Sequence, residues 1–419
     1  MDRLIVKGPT RLSGKVEVSG AKNAALPLMA ASILYPGEVT FSRIPDLSDT
    51  RFFANILESL GAKTSNVDGD LTIDCSDLTS QTADYDLVRK MRASVLVLGP
   101  TLARFGKAKV SLPGGCAIGS RPVDIHLYGL RELGAEIEIE QGYIVAKANR
   151  LVGTSIVLPS PSVGATENIM MAAALAEGET QIDNAAREPE VSDLASFLVS
   201  LGVEISGIGS STLVIKGKKI SELRFSPKSY EVIGDRIEAL TFVAAGLICQ
   251  SEIEVTGFNP DHLKFVFNLL KKMGAKLEVL PNGVRTLVGS ELNYRRIETA
   301  PYPGLPTDTQ AQMMTLMSFY QGGSIREHIF ENRFMHVPEL TRMGHKISID
   351  YNTALIEPSV AITGAQVMCT DLRASAALVL SALGAKGESV ISRIYHLDRG
   401  YERLEQKLLK LGANIERTR

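Results

Sequence analysis

Six times along this chain a leucine-rich helical stretch runs into a glycine and emerges as an alternating strand. The copies are LESLGAKTS (57–65), LRELGAEIEIE (130–140), LVSLGVEIS (198–206), LKKMGAKLEVL (270–280), LTRMGHKISID (340–350) and LLKLGANIE (408–416). Their glycines, at 61, 134, 202, 274, 344 and 412, are separated by 73, 68, 72, 70 and 68 residues. A period near 70 is too long for the common solenoids, and chance is a poor explanation for six copies with one helix–glycine–strand grammar. Apolar residues at three- and four-residue spacing make the helix amphipathic. The glycine then caps it in a left-handed conformation. The alternation that follows, as in Glu136-Ile137-Glu138-Ile139, is that of a half-buried strand.

A second helix precedes each of these, and it differs in kind. AKNAALPLMAASIL (21–34), RASVLVLGPTLARF (92–105), VGATENIMMAAALAE (163–177), DRIEALTFVAAGLIC (235–249), DTQAQMMTLMSFYQ (308–321) and DLRASAALVLSALGA (371–385) are rich in small residues and apolar nearly all round. Such a helix is buried, so sheets and amphipathic helices must lie outside it. The expected fold is α/β: two similar inside-out α/β domains, each of three helix-and-sheet repeats with buried helices, six repeats in all. The polar, proline-bearing segment ELRFSPKSYEVIG (222–234) reads as a crossover, and a second is expected near Ser19-Gly20, which gives the N-terminal strand to the second half. The domains are then 22–229, carrying the Cys116 loop, and 1–21 with 230–419, with the active site in the cleft between them.

Five of the buried helices carry charge at or near their first turn: Lys22, Arg92, Asp235 with Arg236, Asp308, and Asp371 with Arg373; the third offers Ser162-Val163-Gly164. A carboxylate there can cap the helix or compensate its dipole. A cation opposes the dipole, so Lys22 and Arg92 need another reason, and an anion bound at the helix start would be one.

The totals narrow the classes. With 419 residues and a net charge of −2, the chain has no global basic field for nucleic acid, and an anionic ligand must be held by local cations. The longest apolar runs, such as LTFVAAGLIC (240–249), are too short to cross a bilayer, so no membrane partner is expected. The start, MDRLIVKGPT, lacks the apolar core of a signal peptide. Cysteines at 75, 116, 249 and 369 make neither a disulfide framework nor a zinc spacing, and a reducing cytoplasm is the simplest home. The histidines form no HExxH pair, and neither a Walker A sequence nor GxGxxG is present.

One loop stands apart. In LPGGCAIGSRP (112–122) a thiol sits behind two glycines and five residues ahead of Arg121. Cys249 and Cys369 read as small buried core residues, whereas a PGGC turn is not core. A cysteine hydrolase would want a paired histidine, and nothing orients His126 toward Cys116.

The motifs SGAKNAALPL (19–28), LPGGCAIGSRPVDIHL (112–127), SVGATE (162–167), NAAREPE (184–190), PTDTQAQ (306–312), FENRFMHVPEL (330–340), GAQVMCTDLRASAALVL (364–380) and RIYHLDRGYERLEQKL (393–408) carry a resemblance to the enolpyruvyl transferases over essentially the whole chain. The resemblance implies transfer of the enolpyruvyl group of phosphoenolpyruvate to the 3-hydroxyl of UDP-N-acetylglucosamine, the committing step of peptidoglycan synthesis. Phosphate is lost through a tetrahedral ketal, and neither metal nor organic cofactor is implied. It places Lys22, Asn23, Arg121, Arg373 and Arg399 at phosphoenolpyruvate. It places Arg92, Arg121, Pro122, Val123, Asp124, Ile125, Ser162, Val163, Gly164, Asp308 and the backbone near Ile329 at the sugar nucleotide. Asp371 and Arg333 are further candidates. Cys116, Asp308, Lys22 and Arg399 are the implied catalytic set. Cys116 is the proton donor on a loop that closes over the site, with Arg121 and loop amides favouring its thiolate. Asp308 is the base, or the acceptor that positions the hydroxyl. Residue types agree with this chemistry, since a dianionic phosphate and a carboxylate in a desolvated site need several cations, and arginine's fork binds two oxygens at once.

Two positions depart from the family pattern. Leu96 stands where relatives often have tryptophan, and Ser160-Pro161 where a lysine often touches the nucleotide. Two rival readings share the fold: transfer to shikimate 3-phosphate, and a non-catalytic paralogue that only binds UDP-N-acetylglucosamine. The PGGC and RPVDIHL segments speak against the first. Intact Lys22, Asp308, Cys116 and Arg399 speak against the second.

Overall fold

The computed structural model describes residues 2–67, 69–89, 91–112, 123–359 and 361–419. Within them the chain divides into two compact units, one of residues 2–19 and 234–419, the other of residues 20–112 and 123–233. Each unit holds three four-stranded sheets, and all six sheets share one plan: a parallel pair at one edge, the remaining pairings antiparallel. No helix among the described residues is long and apolar enough to cross a membrane.

The inside-out arrangement expected from the apolar helices is present. Every residue of the inner helices Arg236–Ile248 and Gln310–Ser318 is buried. Together with Leu372–Gly384 they pack pairwise on one another at the centre of their unit. The other unit is built around Lys22–Ala31, Leu98–Phe105 and Val163–Ala173. The second of these is shorter than its apolar run. Arg92–Val97 winds as a 3₁₀ turn ahead of it, because Pro100 has no N–H to close an α-helical bond on the Leu96 carbonyl. The outer helices are amphipathic: Lys264–Met273 buries Val266, Phe267, Leu270 and Met273 and turns its lysines outward.

The six repeated glycines do what their spacing predicts. All have positive φ, between 95° and 113°. In every copy the residue after the glycine donates its N–H to a leucine carbonyl five residues earlier: Ala62 to Leu57, Ala135 to Leu130, Val203 to Leu198, Ala275 to Leu270, His345 to Leu340 and Ala413 to Leu408, at 2.9–3.2 Å. This is the Schellman closure, which satisfies a terminal carbonyl and turns the chain directly into its strand.

Two strands are traded. Elsewhere the parallel edge strand is the one just before its own inner helix. Tyr230–Glu231, just before Arg236–Ile248, instead pairs with Glu38–Ser42 of the first repeat. Gly14–Glu17, just before Lys22–Ala31, pairs with Ile253–Thr256 of the fourth. Arg3–Gly8 fills the sixth sheet between Gly387–Ser392 and Asn414–Thr418. Ser19 is pinned within its unit by a buried cluster. Its N–H and Lys407 Nζ both donate to Glu238, at 2.9 and 2.5 Å, and its carbonyl accepts from the Asp235 N–H at 2.9 Å.

Two tests follow from these features. Around Gly134 a methyl group would have room, its nearest neighbour being the Arg150 carbonyl oxygen at 3.8 Å, so Gly134→Ala should cost only the left-handed conformation, about 1–2 kcal/mol. At Gly274 the same methyl would lie 2.1 Å from the Glu291 oxygen, so Gly274→Ala should lower the urea midpoint clearly further. Equal midpoints would contradict this account of the caps. The second test concerns His345, whose Nδ1 and Nε2 each lie 2.6 Å from a serine hydroxyl, Ser318 and Ser381, and whose pKa burial pulls down to about 4. An unfolded histidine gains its proton near pH 6.5, well before the folded one does. Stability should therefore be full above that pH and fall as the pH drops toward 4. Between pH 7 and 5 this site should contribute about 2 kcal/mol of loss, and His345→Gln should show a shallower decline than the parent.

Candidate active site

In the unit of residues 20–112 and 123–233, Lys22 is the first residue of its inner helix, and Ala21 before it supplies no side-chain cap. The lysine is buried, and its Nζ lies 2.5 Å from Oδ2 of Asp49, itself buried in the first turn of the outer helix Ser48–Ser59. Part of the reason sought for a cation at a helix start is thus a carboxylate from the neighbouring helix. Sequence reading missed Asp49, because an acidic residue in a helical first turn looks like ordinary dipole compensation. Asn23 follows Lys22, half-buried.

Arg92 opens the 3₁₀ turn of the second repeat. Its charge and, more strongly, burial hold His126 near pKa 4, so the imidazole is neutral. Asn168 ties this corner together. Its Oδ1 accepts from the Gly99 N–H at 2.6 Å, and its Nδ2 donates to the Val95 carbonyl at 3.0 Å and faces His126 Nδ1 at 3.1 Å. His126 in turn lies against Gly164, where a methyl would come within 3.1 Å of the ring. Gly164 therefore sits at the start of the third inner helix in close contact with that ring, which would have to give by a few tenths of an ångström for any side chain there. Ser162 caps that helix by accepting from the Ala165 N–H, and Val163 begins it. Val123 and Asp124 start the outer helix of the second repeat, Asp124–Glu132, with Ile125 half-buried beside them. Glu167, inside the third helix, is fully buried. Burial first, then the charges of Glu190 and Glu188, raises its carboxyl well above the usual range. Cys116, Arg121 and Pro122 lie outside the described residues.

The unit of residues 2–19 and 234–419 gathers its charges around Asp308, in the 3₁₀ turn Thr307–Thr309. Two buried guanidinium groups bind it. Arg333 donates through Nη2 to Oδ1 at 2.8 Å; Arg373 donates through Nη2 and Nε to Oδ2 at 3.1 and 3.3 Å. Arg373 is placed by its own helix start, where Asp371 accepts from the backbone N–H of Arg373 and Ala374 at 2.9 and 3.1 Å. Asp235 caps the fourth inner helix in the same way, through Ile237 and Glu238. The Arg373 guanidinium also lies 5.4 Å from the ring of Tyr401. The Tyr401 hydroxyl meets Thr241 at 3.0 Å and accepts from Gln312 at 3.1 Å, so one phenol links all three inner helices. Although burial disfavours a charged Arg373, Asp308, Tyr401 and Asp235 together leave its pKa above the ordinary value.

Ile329 is exposed on a turn built by Glu327, whose Oε1 accepts from the Ile329 and Phe330 N–H groups at 2.8 and 3.2 Å. Arg399 ends the 3₁₀ turn Ile394–Arg399, half-buried. Asp308, Arg333, Arg373 and Asp371 are thus brought together. Asp49 and Glu327 are added to these sets without any local sequence signal, and Tyr401, though inside the motif at 393–408, has no role marked there, since their partners are distant in the chain. Burial keeps the described cysteines as thiols, raising Cys75 and Cys369 to about 11 and Cys249 to about 12.

Over residues 6–408 the chain matches the family described as EPSP synthase (3-phosphoshikimate 1-carboxyvinyltransferase). It is 51% identical to the UDP-N-acetylglucosamine 1-carboxyvinyltransferase of Desulforapulum autotrophicum, with 100% of both chains covered. It is 50% identical to the protein of that name from Paramagnetospirillum magneticum, covering 100% of this chain and 98% of the other. Among solved structures it is similar to the enolpyruvyl transferase NikO from Streptomyces tendae, with a TM-score of 0.90 and 27% identity over 100% of this chain and 99% of that one. EPSP synthase from Acinetobacter baumannii shares the fold, with a TM-score of 0.75 at 16% identity and 100% of both chains covered. Half the residues being identical along the full length of both chains, the protein belongs to the UDP-N-acetylglucosamine 1-carboxyvinyltransferases of the enolpyruvyl transferase family.

Proposed function

We infer that this protein transfers the enolpyruvyl group of phosphoenolpyruvate to the 3-hydroxyl of UDP-N-acetylglucosamine with release of phosphate, opening peptidoglycan synthesis in the cytoplasm. The observation that carries the reading is the full-length identity of about half to relatives of that name. The rival acceptor, shikimate 3-phosphate, has behind it the description of the matching family and a likeness in fold, the latter at 16% identity to an EPSP synthase, against about half for the relatives of the first name.

The chemistry assigns a task to each group. The enol carbon takes a proton and the sugar oxygen bonds the neighbouring carbon, giving a tetrahedral ketal. Loss of a proton from the first carbon and of phosphate from the second restores the double bond. Lys22, Asn23, Arg121, Arg373 and Arg399 would hold the phosphate and carboxylate. Removing these anions from water is costly unless cations already stand in place, and Asp49 keeps the Lys22 ammonium there beforehand. Asp308, held from both sides by Arg333 and Arg373, would meet the sugar hydroxyl as base or as oriented acceptor. The nucleotide would meet Arg92, Arg121-Pro122-Val123-Asp124-Ile125, Ser162-Val163-Gly164 and the Ile329 turn. Cys116 would deliver the proton to the enol carbon.

Phosphate release from phosphoenolpyruvate should require UDP-N-acetylglucosamine and should not occur with shikimate 3-phosphate. Comparable turnover of the shikimate compound would refute the assignment. Fosfomycin, a small phosphonate epoxide that resembles the phosphate end of phosphoenolpyruvate, should alkylate Cys116 alone, because the other three thiols stay protonated in the core. Peptide mass mapping should find one adduct between residues 112 and 121. Cys116→Asp should retain turnover and escape labelling; adducts at Cys75, Cys249 or Cys369 in its place would overturn the role given to Cys116.

A further inference from the structure

Glu327 belongs to none of the motifs that carry the family resemblance, yet its buried carboxylate accepts four hydrogen bonds. It follows the strand Gly323–Arg326, in the sheet of the fifth repeat, and is 3% exposed. Four donors converge on it. Oε1 accepts from the Thr299 hydroxyl at 2.9 Å and from the Ile329 and Phe330 N–H groups at 2.8 and 3.2 Å. Oε2 accepts from the Thr307 hydroxyl at 3.0 Å. That hydroxyl accepts in turn from Arg333 Nη1 at 3.0 Å, while Arg333 Nη2 donates to Asp308 Oδ1 at 2.8 Å. A single chain of hydrogen bonds thus runs from the Ile329 turn through Glu327, Thr307 and Arg333 to Asp308.

The direction of this chain has only one solution. A guanidinium can only donate and an ionised carboxylate can only accept, so the Thr307 hydroxyl, which can do both, must accept from Arg333 and donate to Glu327. With an ion at each end, both bonds are charge-assisted and polarise one another. The two amino groups of Arg333 lie in one plane. Fixing Nη1 on Thr307 therefore fixes the line along which Nη2 meets Asp308. The same carboxylate shapes the Ile329 turn through its two amide bonds.

We propose that Glu327 is a positioning residue for the acceptor substrate: one buried carboxylate sets both the Ile329 turn, at the nucleotide, and the orientation of Asp308, at the sugar hydroxyl. The inference rests on the reaction proposed above and adds to it how recognition of the nucleotide and alignment of the reacting hydroxyl are joined. It acts chiefly on the sugar nucleotide, because Ile329 and Asp308 are assigned to it; Arg373, assigned to phosphoenolpyruvate, meets the other oxygen of Asp308 but has its own anchor in the Asp371 helix start.

Glu327→Gln keeps the shape but not the polarity. Whichever way the amide faces, either the backbone N–H groups or the Thr307 hydroxyl meets an NH2 group. Steady-state kinetics should show kcat/KM for UDP-N-acetylglucosamine lowered on the order of tenfold to a hundredfold, with both kcat and KM affected. KM for phosphoenolpyruvate should stay within about twofold of the parent value. Thr307→Val, which can neither donate nor accept, should reproduce the defect, and Thr307→Ser should restore most of the activity. The double variant Glu327→Gln, Thr307→Val should lose little more than the worse single one, since both break one chain. A parent protein without the proposed turnover would remove the reaction and this inference with it. A parent that turns over, alongside Glu327→Gln or Thr307→Val at parental values, would overturn the inference alone. Equal losses in Thr307→Ser and Thr307→Val, or a phosphoenolpyruvate KM that moves as far as the sugar-nucleotide KM, would overturn it as well.

Discussion

A helix with apolar neighbours on every side can present chemistry only at its ends. Its side chains are committed to packing, and its backbone groups are satisfied internally except in the first and last turns. In Arg236–Ile248 and Gln310–Ser318 every residue is buried, and the charged or amide side chains cluster at the start: Asp235, Arg236 and Glu238 in one, Asp308, Gln310 and Gln312 in the other. The same rule puts Lys22 and Asn23 at the start of Lys22–Ala31, and Asp371 and Arg373 at that of Leu372–Gly384. The position of these residues is therefore a consequence of the inside-out packing.

Charges so placed are costly unless they are compensated, because burial removes water from each of them. The protein meets this with prearranged pairs. Lys22 has Asp49; Asp308 has Arg333 and Arg373; Glu238 has Lys407 and the Ser19 N–H. In each case the partner comes from a different helix or loop, so the pairs also fix how neighbouring elements sit within a unit. Tyr401 does similar work without charge, its hydroxyl meeting Thr241 and Gln312 while its ring lies beside Arg373. The cations of the candidate site are in this way held in order by the protein's own carboxylates, which would lower the rearrangement that binding an anion demands.

Repetition makes the exceptions informative. Six glycine caps with the same leucine carbonyl closure show that one local solution serves every repeat. The departures occur where the chain passes between units. Tyr230–Glu231 and Gly14–Glu17 pair away from the inner helices that follow them, and Arg3–Gly8 supplies the strand that the sixth repeat lacks. A parallel edge strand needs few residues to pair, so a short segment before a helix can serve a distant sheet as readily as its own.

The sequence by itself determined the repeat, the glycine caps and the distinction between inner and outer helices, because each rests on spacing within some fifteen residues: a helical period, one position that needs positive φ, an alternation. It also named Lys22, Asp308, Asp371 and Arg373 as candidates from long motifs and their place at helix starts, and Arg333 from its motif alone. Only the tertiary structure decided what holds them. Asp49 stands 27 positions after Lys22, Arg373 lies 65 after Asp308, and Glu238 and Lys407 are 169 apart. The Glu327 to Thr307 bond spans 20 residues, between a strand end and a helix start. No local pattern records such pairings. They arise when buried polar groups, brought together by packing, must find partners among whatever the fold places beside them, and a lone acidic residue in the sequence carries no mark of the cation or amide it will meet.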